Sequence, residues 1–206
     1  MSLGFLRRAV VDNRAASTSL VVVGTALLLV SAASVARGAI ARDAARSRWE
    51  QLEAQRAVIG ARANASRTSA WSPSTGTPVA RLVIPKIDLD EVVVEGVNDS
   101  ELRAGPGHMP ESVLPGSAGT SVISAHRDRH FHGLGDVAVG DTVVTESAAG
   151  RTVWTVERIR VVDADARVLR SSPTARLVLT TCWPIRYFGP APDRLILEAH
   201  PVFGRD

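Results

Sequence analysis

One cysteine, Cys182, and one lysine, Lys86, are all that the chain holds of those two residues. A single thiol excludes an internal disulfide, and without further cysteines no Cys/His cluster has zinc-ligand spacing. Aromatic residues make up 4% of the chain. The Lys+Arg total of 24 gives a net charge of only +3 and is nowhere condensed into a basic block interleaved with aromatics. Nucleic acid is therefore not an expected partner. Beyond residue 60, helical periodicity is absent except for a short turn at 99–103, where Asn98-Asp99-Ser100-Glu101 offers helix-cap chemistry. No internal repeat is visible.

What is present falls into an N-terminal apolar segment and a β-rich remainder. Residues 15–36 carry no charge and centre on LVVVGTALLLV. A helix of that length rises about 33 Å at about 1.5 Å per residue, enough for a hydrocarbon core of about 30 Å. The segment reads as a transmembrane signal-anchor helix behind a short tail at 1–14. The rival reading is a cleaved signal peptide, because Ser34-Val35-Ala36 resembles a small-x-small cleavage site; the apolar stretch exceeds the usual h-region of about 7–15 residues. Arg7, Arg8 and Arg14 precede the span, and Arg37, Arg42, Arg46 and Arg48 follow it, so charge alone does not orient it. Residues 37–60 are rich in Ala, Arg, Glu and Gln, with a loose apolar stripe of Ile40, Ala44, Trp49, Leu52 and Ile59. They read as a helical stalk. Residues 61–78 are small, polar and punctuated by Pro and Gly, which marks a flexible linker.

From residue 79 to 206 the pattern is that of an all-β domain. Short runs of apolar and β-branched residues recur at 80–84, 92–94, 120–125, 142–146, 152–160, 177–181 and 194–199, with turn formers between them. Seven or more such strands imply a closed barrel or a sandwich. Residues 105–110 (GPGHMP) read as a loop.

The chemistry concentrates at three strand ends. Leu177-Val178-Leu179-Thr180-Thr181 stops at Cys182, because Trp183-Pro184 cannot continue a ladder; proline has no N–H to donate. After a loop rich in Pro and Gly, Arg194 opens the last apolar run, Leu195-Ile196-Leu197. Upstream, Thr120-Ser121-Val122-Ile123-Ser124-Ala125 ends at His126. A lone cysteine is most often a small buried hydrophobe, but strand ends that open into loops are where scaffolds place reactive groups. The thiolate is the reactive form, and a neighbouring cation favours it. A protonated imidazole can deliver a proton to a leaving amine. A planar, permanently charged guanidinium can stabilise an oxyanion or orient a peptide. His126, Cys182 and Arg194 supply these roles. His108, His130, His132 and His200 are expected on the surface or in loops, and Asp128 and Asp136 as solvated loop charges.

Ser124-Ala125-His126-Arg127-Asp128, Leu179-Thr180-Thr181-Cys182 and Arg194 resemble the three signature segments of the sortases, the membrane-anchored cysteine transpeptidases of bacterial surfaces. The resemblance covers residues 79–200. Residues 105–110 and Leu114-Pro115-Gly116 match family loops, and the stretch from Cys182-Trp183-Pro184 through Tyr187-Phe188-Gly189-Pro190-Ala191-Pro192 is most similar to class D. Ala125 stands where Gly is common before the His, and Trp183-Pro184-Ile185-Arg186 replaces the more usual Tyr-Pro-Phe.

The resemblance implies an eight-stranded β-barrel held outside the membrane, with the N-terminus inside. Its implied substrate is a C-terminal sorting signal of LPxTG type, attacked by Cys182 at the carbonyl after the threonine. His126 would protonate the departing amine and later activate the incoming one, from a cell-wall precursor or a pilin lysine. Arg194 would steady the oxyanion. Thr181, Trp183 and Ala125 would border the bound peptide. No cofactor is implied; some relatives hold calcium with acidic loop residues, and no dense acidic loop stands out in this chain. Two alternatives remain at this level: a hydrolase that releases the cleaved protein to water, and a non-catalytic membrane-tethered binding barrel.

Overall fold

In the computed structural model, residues 3–60 and 73–202 are described, with side chains described for 16–55 and 73–202. The larger part of the expected linker, residues 61–72, lies outside the described residues.

Helix α1 runs over Leu3–Gly60, and the chain divides within it into two compact units, after Ile40. The first unit contains a helical stretch long and apolar enough to cross a membrane. Leu20, Leu27, Leu28 and Val30 on it are all more than 60% exposed. A helix that turns apolar residues outward all round has no soluble core to bury them in, which is consistent with a membrane anchor. In the second unit, the part of α1 after residue 40 packs on the barrel. Ala45 and Trp49 are buried with Val92 and Val94, and Arg46 donates a 3.1 Å bond to the Asp90 carbonyl. The buried face is thus led by Ala45 and not by Ala44, which is exposed, and Ile40 is exposed as well. The expected stalk is a buttress.

Eight strands follow: β1 (Pro78–Ile84), β2 (Leu89–Glu95), β3 (Gly107–His108), β4 (Thr120–Ser124), β5 (Thr142–Ser147), β6 (Gly150–Asp163), β7 (Arg176–Trp183) and β8 (Asp193–Pro201). They close into a barrel in the order β1-β2-β3-β4-β7-β8-β6-β5. The β2–β3 and β4–β7 pairs are parallel and the others antiparallel. Closure leaves no edge strand to protect. A short helix, α2 (Asp99–Ala104), links β2 to β3. Asn98 takes its N-cap position but makes no side-chain cap bond, so the expected cap chemistry is not used.

Strand β3 sits where a loop was expected. Two residues carry no apolar run, and Gly107 is required for another reason: a Cβ there would run into the Gly96 carbonyl and the Leu102 side chain. Only glycine lets this strand slip between β2 and β4. His108 is likewise not a surface residue. It is buried, with Nδ1 2.7 Å from Glu95 Oε2 and Nε2 3.0 Å from the Val113 carbonyl. His130 is also buried, with Nδ1 3.2 Å from Glu91 Oε1. Burial of a polar ring favours pairing; both ring nitrogens of His108 are paired, whereas His130 Nε2 has no hydrogen-bond partner among the described residues.

The barrel interior is filled by Leu82, Ile84, Val93, Ile123, Leu134, Trp154, Leu177, Leu179 and Leu197, among others. Val122, Val178 and Ile196 form a second cluster with Val168. Strand alternation assigns the two clusters to opposite faces: odd positions 177 and 179 of β7 face inward, and 178 faces outward. Residues 164–172 cover that outer patch through Val168 and Leu169. Both faces of β7 are therefore apolar, which explains its uninterrupted hydrophobic run.

Candidate active site

Three adjacent strands bring the chemistry together through their register. In β7–β8, Cys182 pairs with Arg194 and Thr180 with Ile196. In β4–β7, Ser124 pairs with Thr180. Two residues past that rung, β4 has reached His126 and β7 has reached Cys182, which is itself opposite Arg194. The continuation past the ladder is held by two bonds. The Ala125 N–H donates to the Thr180 carbonyl at 3.2 Å, and the Thr181 hydroxyl donates to the Ala125 carbonyl at 2.7 Å. Alternation then sets the faces. Val122 and Ser124 share the outer side of β4; Val178, Thr180 and Cys182 that of β7; Ile196 and Arg194 that of β8. Cys182 and Arg194 thus share the outer face beyond the buried patch of Val122, Val178 and Ile196, and His126 follows two residues after the last rung of β4.

Cys182 is exposed, so it is not the buried hydrophobe that a lone cysteine usually is. His126 is one third exposed, with Nε2 3.3 Å from Asp99 Oδ1. Asp99, at the start of α2, also holds Arg103. Asp128 and Asp136 are exposed loop residues, and the carboxylate facing His126 comes from neither. Asp99 is 61% exposed, so solvent screens the pair and its contribution is orientation more than energy.

Ala125 and Thr181 are buried on the inner face. With its hydroxyl committed to Ala125, Thr181 ties β4 to β7 at the level of the site. Trp183 is half-buried at the barrel mouth, within packing distance of Gly135 and against the main core. It lines a cleft of ≈ 370 Å³ together with His132, Asp136, Pro184, Ile185 and Arg186. This cleft begins one residue past Cys182. Sequence reasoning missed Asp99 and the contacts of Arg127 described below. Both are loop-to-loop relations without a spacing rule; the only hint was Asp99's place in a short helical turn.

The family model for the Sortase domain matches residues 82–202. Sortase D of Bacillus subtilis (strain 168) is 33% identical over 140 residues, which is 67% of this chain and 71% of that protein. Among solved structures, the catalytic domain of SrtD from B. anthracis is 31% identical and superposes with a TM-score of 0.54, covering 68% of this chain and 97% of that one. A Clostridium perfringens Sortase D5 transpeptidase superposes with a TM-score of 0.62 over 82% of this chain and 99% of that one; at 19% identity it speaks for the fold alone. The chain belongs to the sortase family of cysteine transpeptidases.

Proposed function

We propose that the chain is a membrane-anchored transpeptidase that cleaves an LPxTG-like sorting signal after its threonine and passes the acyl group to an amine. The observation that supports this reading is the register: Cys182 pairs with Arg194, and the Ser124–Thr180 rung lies two residues before both His126 and Cys182.

The steps follow from the positions. The Cys182 thiolate attacks the carbonyl carbon after the threonine, forming a C–S bond and an oxyanion. Arg194, directly across the ladder, donates to that oxygen. Collapse breaks the C–N bond, and the departing amine takes its proton from His126. A thioester on Cys182 remains. An incoming amine attacks it, His126 accepts the amine's proton, and the C–S bond breaks to restore the thiolate. The amine is that of a cell-wall precursor or a pilin lysine. The helix within 3–40 anchors the enzyme with its N-terminus inside and the barrel outside, where sorting signals and acceptors meet. The chemistry of these residues needs no cofactor.

The competing outcome is hydrolysis, in which water replaces the amine. The test is mass analysis of products from the full chain in detergent, given a panel of LPxTG-like peptides with and without triglycine. The reading expects a ligated peptide. Cleavage to the free acid alone, at every triglycine concentration, would support the hydrolase instead.

A further inference from the structure

Arg127 follows His126 directly and does not contact the reacting atoms. Its guanidinium reaches across to the loop between β7 and β8. Nη1 donates to the Pro184 carbonyl at 2.9 Å and Nη2 to the Gly189 carbonyl at 2.6 Å. The same guanidinium lies 5.6 Å from the centre of the Tyr187 ring. Three points of one loop are thus held by one side chain whose own backbone is fixed next to His126.

Ile185 anchors the start of the loop by packing against the main core, and the stretch beyond it has little else to hold it. Among the described residues, no turn or loop backbone hydrogen bond involves 184–192. Residues 186–190 are exposed, and Phe188 is fully so. Such a segment would open at little cost on its own. A planar fork that donates to two carbonyls while its face meets an aromatic ring is a contact that lysine cannot reproduce.

One of the latched residues, Pro184, lines the cleft that begins beyond Cys182, together with its loop neighbours Ile185 and Arg186 and with His132 and Asp136. His126 and Arg194 flank Cys182 on opposite sides, because β4 and β8 are the two neighbours of β7. Arg194 attends the carbonyl, whereas His126 exchanges protons with the amine. A loop drawn toward β4 by the residue after His126 is therefore on the amine's side. We propose that Arg127 is a positioning residue that latches the β7–β8 loop and so builds the wall against which the acceptor amine lies when it attacks the thioester. This rests on the transpeptidase reading. In the step concerned, the amine nitrogen bonds to the thioester carbon, its proton passes to His126, and the C–S bond breaks to give the Cys182 thiolate.

The experiment compares full-length wild type with Arg127→Lys and Arg127→Met in detergent, after checking that all three melt at the same temperature. Chymotrypsin cutting after Tyr187 or Phe188, followed by mass, reports the loop without requiring any enzymatic activity. Loss of two charge-assisted bonds is expected to speed that cut at least ~tenfold. Turnover is then measured with hydroxylamine, too small to need the wall, and with triglycine, which extends along it. The expected result is a KM for triglycine raised ~tenfold in Arg127→Met and less in Arg127→Lys, with thioester formation and hydroxylamine turnover within ~twofold of wild type. An unchanged cutting rate overturns the latch. A faster cut with triglycine KM unchanged, or with hydroxylamine and triglycine turnover falling together, overturns its role toward the amine. A wild type that forms no thioester overturns the transpeptidase reading itself, and the cutting rate then still decides the latch.

Discussion

The Thr181 hydroxyl donates a 2.7 Å bond to the Ala125 carbonyl. These residues immediately precede Cys182 and His126, and both side chains are buried. The bond pins the ends of two parallel strands just beyond their last rung, next to His126 and Cys182. Replacing Thr181 with Val keeps the shape and removes the donor. The expected cost is ~1 kcal/mol of stability, read from denaturant midpoints. A fall in kcat of more than ~tenfold should accompany it, because misplacing a catalytic pair by a fraction of an ångström costs rate. Wild-type kcat in a folded variant would show that the strand ends are held by other means.

Arg194 faces Cys182 across the β7–β8 ladder. Lysine at this position keeps the charge but loses the planar fork. We expect Arg194→Lys to lower kcat/KM on the order of 10²-fold, comparable to removing an oxyanion donor, with little change in melting temperature. Kinetics within ~threefold of wild type would remove Arg194 from the role assigned to it.

Glu198 on β8 holds two guanidinium groups at once. Arg160 on β6 approaches Oε1 at 2.8 Å, and Arg176 on β7 approaches Oε2 at 3.0 Å. The carboxylate is buried while both arginines reach solvent. Glu198→Gln should destabilise the barrel by ~3 kcal/mol, since two cations then lose their shared partner. Calorimetry should show a melting temperature lower by ~10 °C, with kcat preserved at temperatures where the variant is folded. An unchanged melting temperature would mean the pair contributes nothing net.

The Arg81 guanidinium bonds to both oxygens of Asp90, at 2.8 and 2.6 Å, and holds that carboxyl below the usual carboxylate range despite opposing desolvation. A folded-state pKa below the unfolded value gives stability that is present above the unfolded pKa of ~3.9. That stability is lost as pH falls through the folded pKa. Both side chains are more than one third exposed, so screening limits the gain to less than ~1 kcal/mol. Asp90→Asn should therefore lower stability by that amount at pH 7. As pH falls below about 4, through the folded pKa, wild type loses the contribution and the difference should shrink. A difference that stays constant with pH would contradict the pairing.

Seven of the eight strands announce themselves as apolar or β-branched runs, because a closed barrel with a covered outer patch needs residues such as Leu177, Val178 and Leu179 on both faces. Strand β3 does not, since its position is dictated by the room that Gly107 leaves for Gly96 and Leu102. His126, Cys182 and Arg194 are legible as residue types at strand ends. The pairing of Cys182 with Arg194 and the parallel alignment of the β4 and β7 ends are not, because they depend on register between strands. The buttressing by Ala45 and Trp49 escapes a reading of the stalk in isolation, as an apolar stripe does not say what it packs against. Asp99 and Arg127 act across loops, where no periodicity constrains partners.

The most direct measurement is the intact mass of the full chain in detergent, mixed with LPxTG-like peptides and quenched in acid within seconds. The account predicts an adduct equal to the peptide up to and including its threonine, lost on adding hydroxylamine and absent from Cys182→Ala. An adduct that persists in Cys182→Ala, or peptide cleavage that proceeds in that variant, would contradict the assignment of Cys182 as the nucleophile.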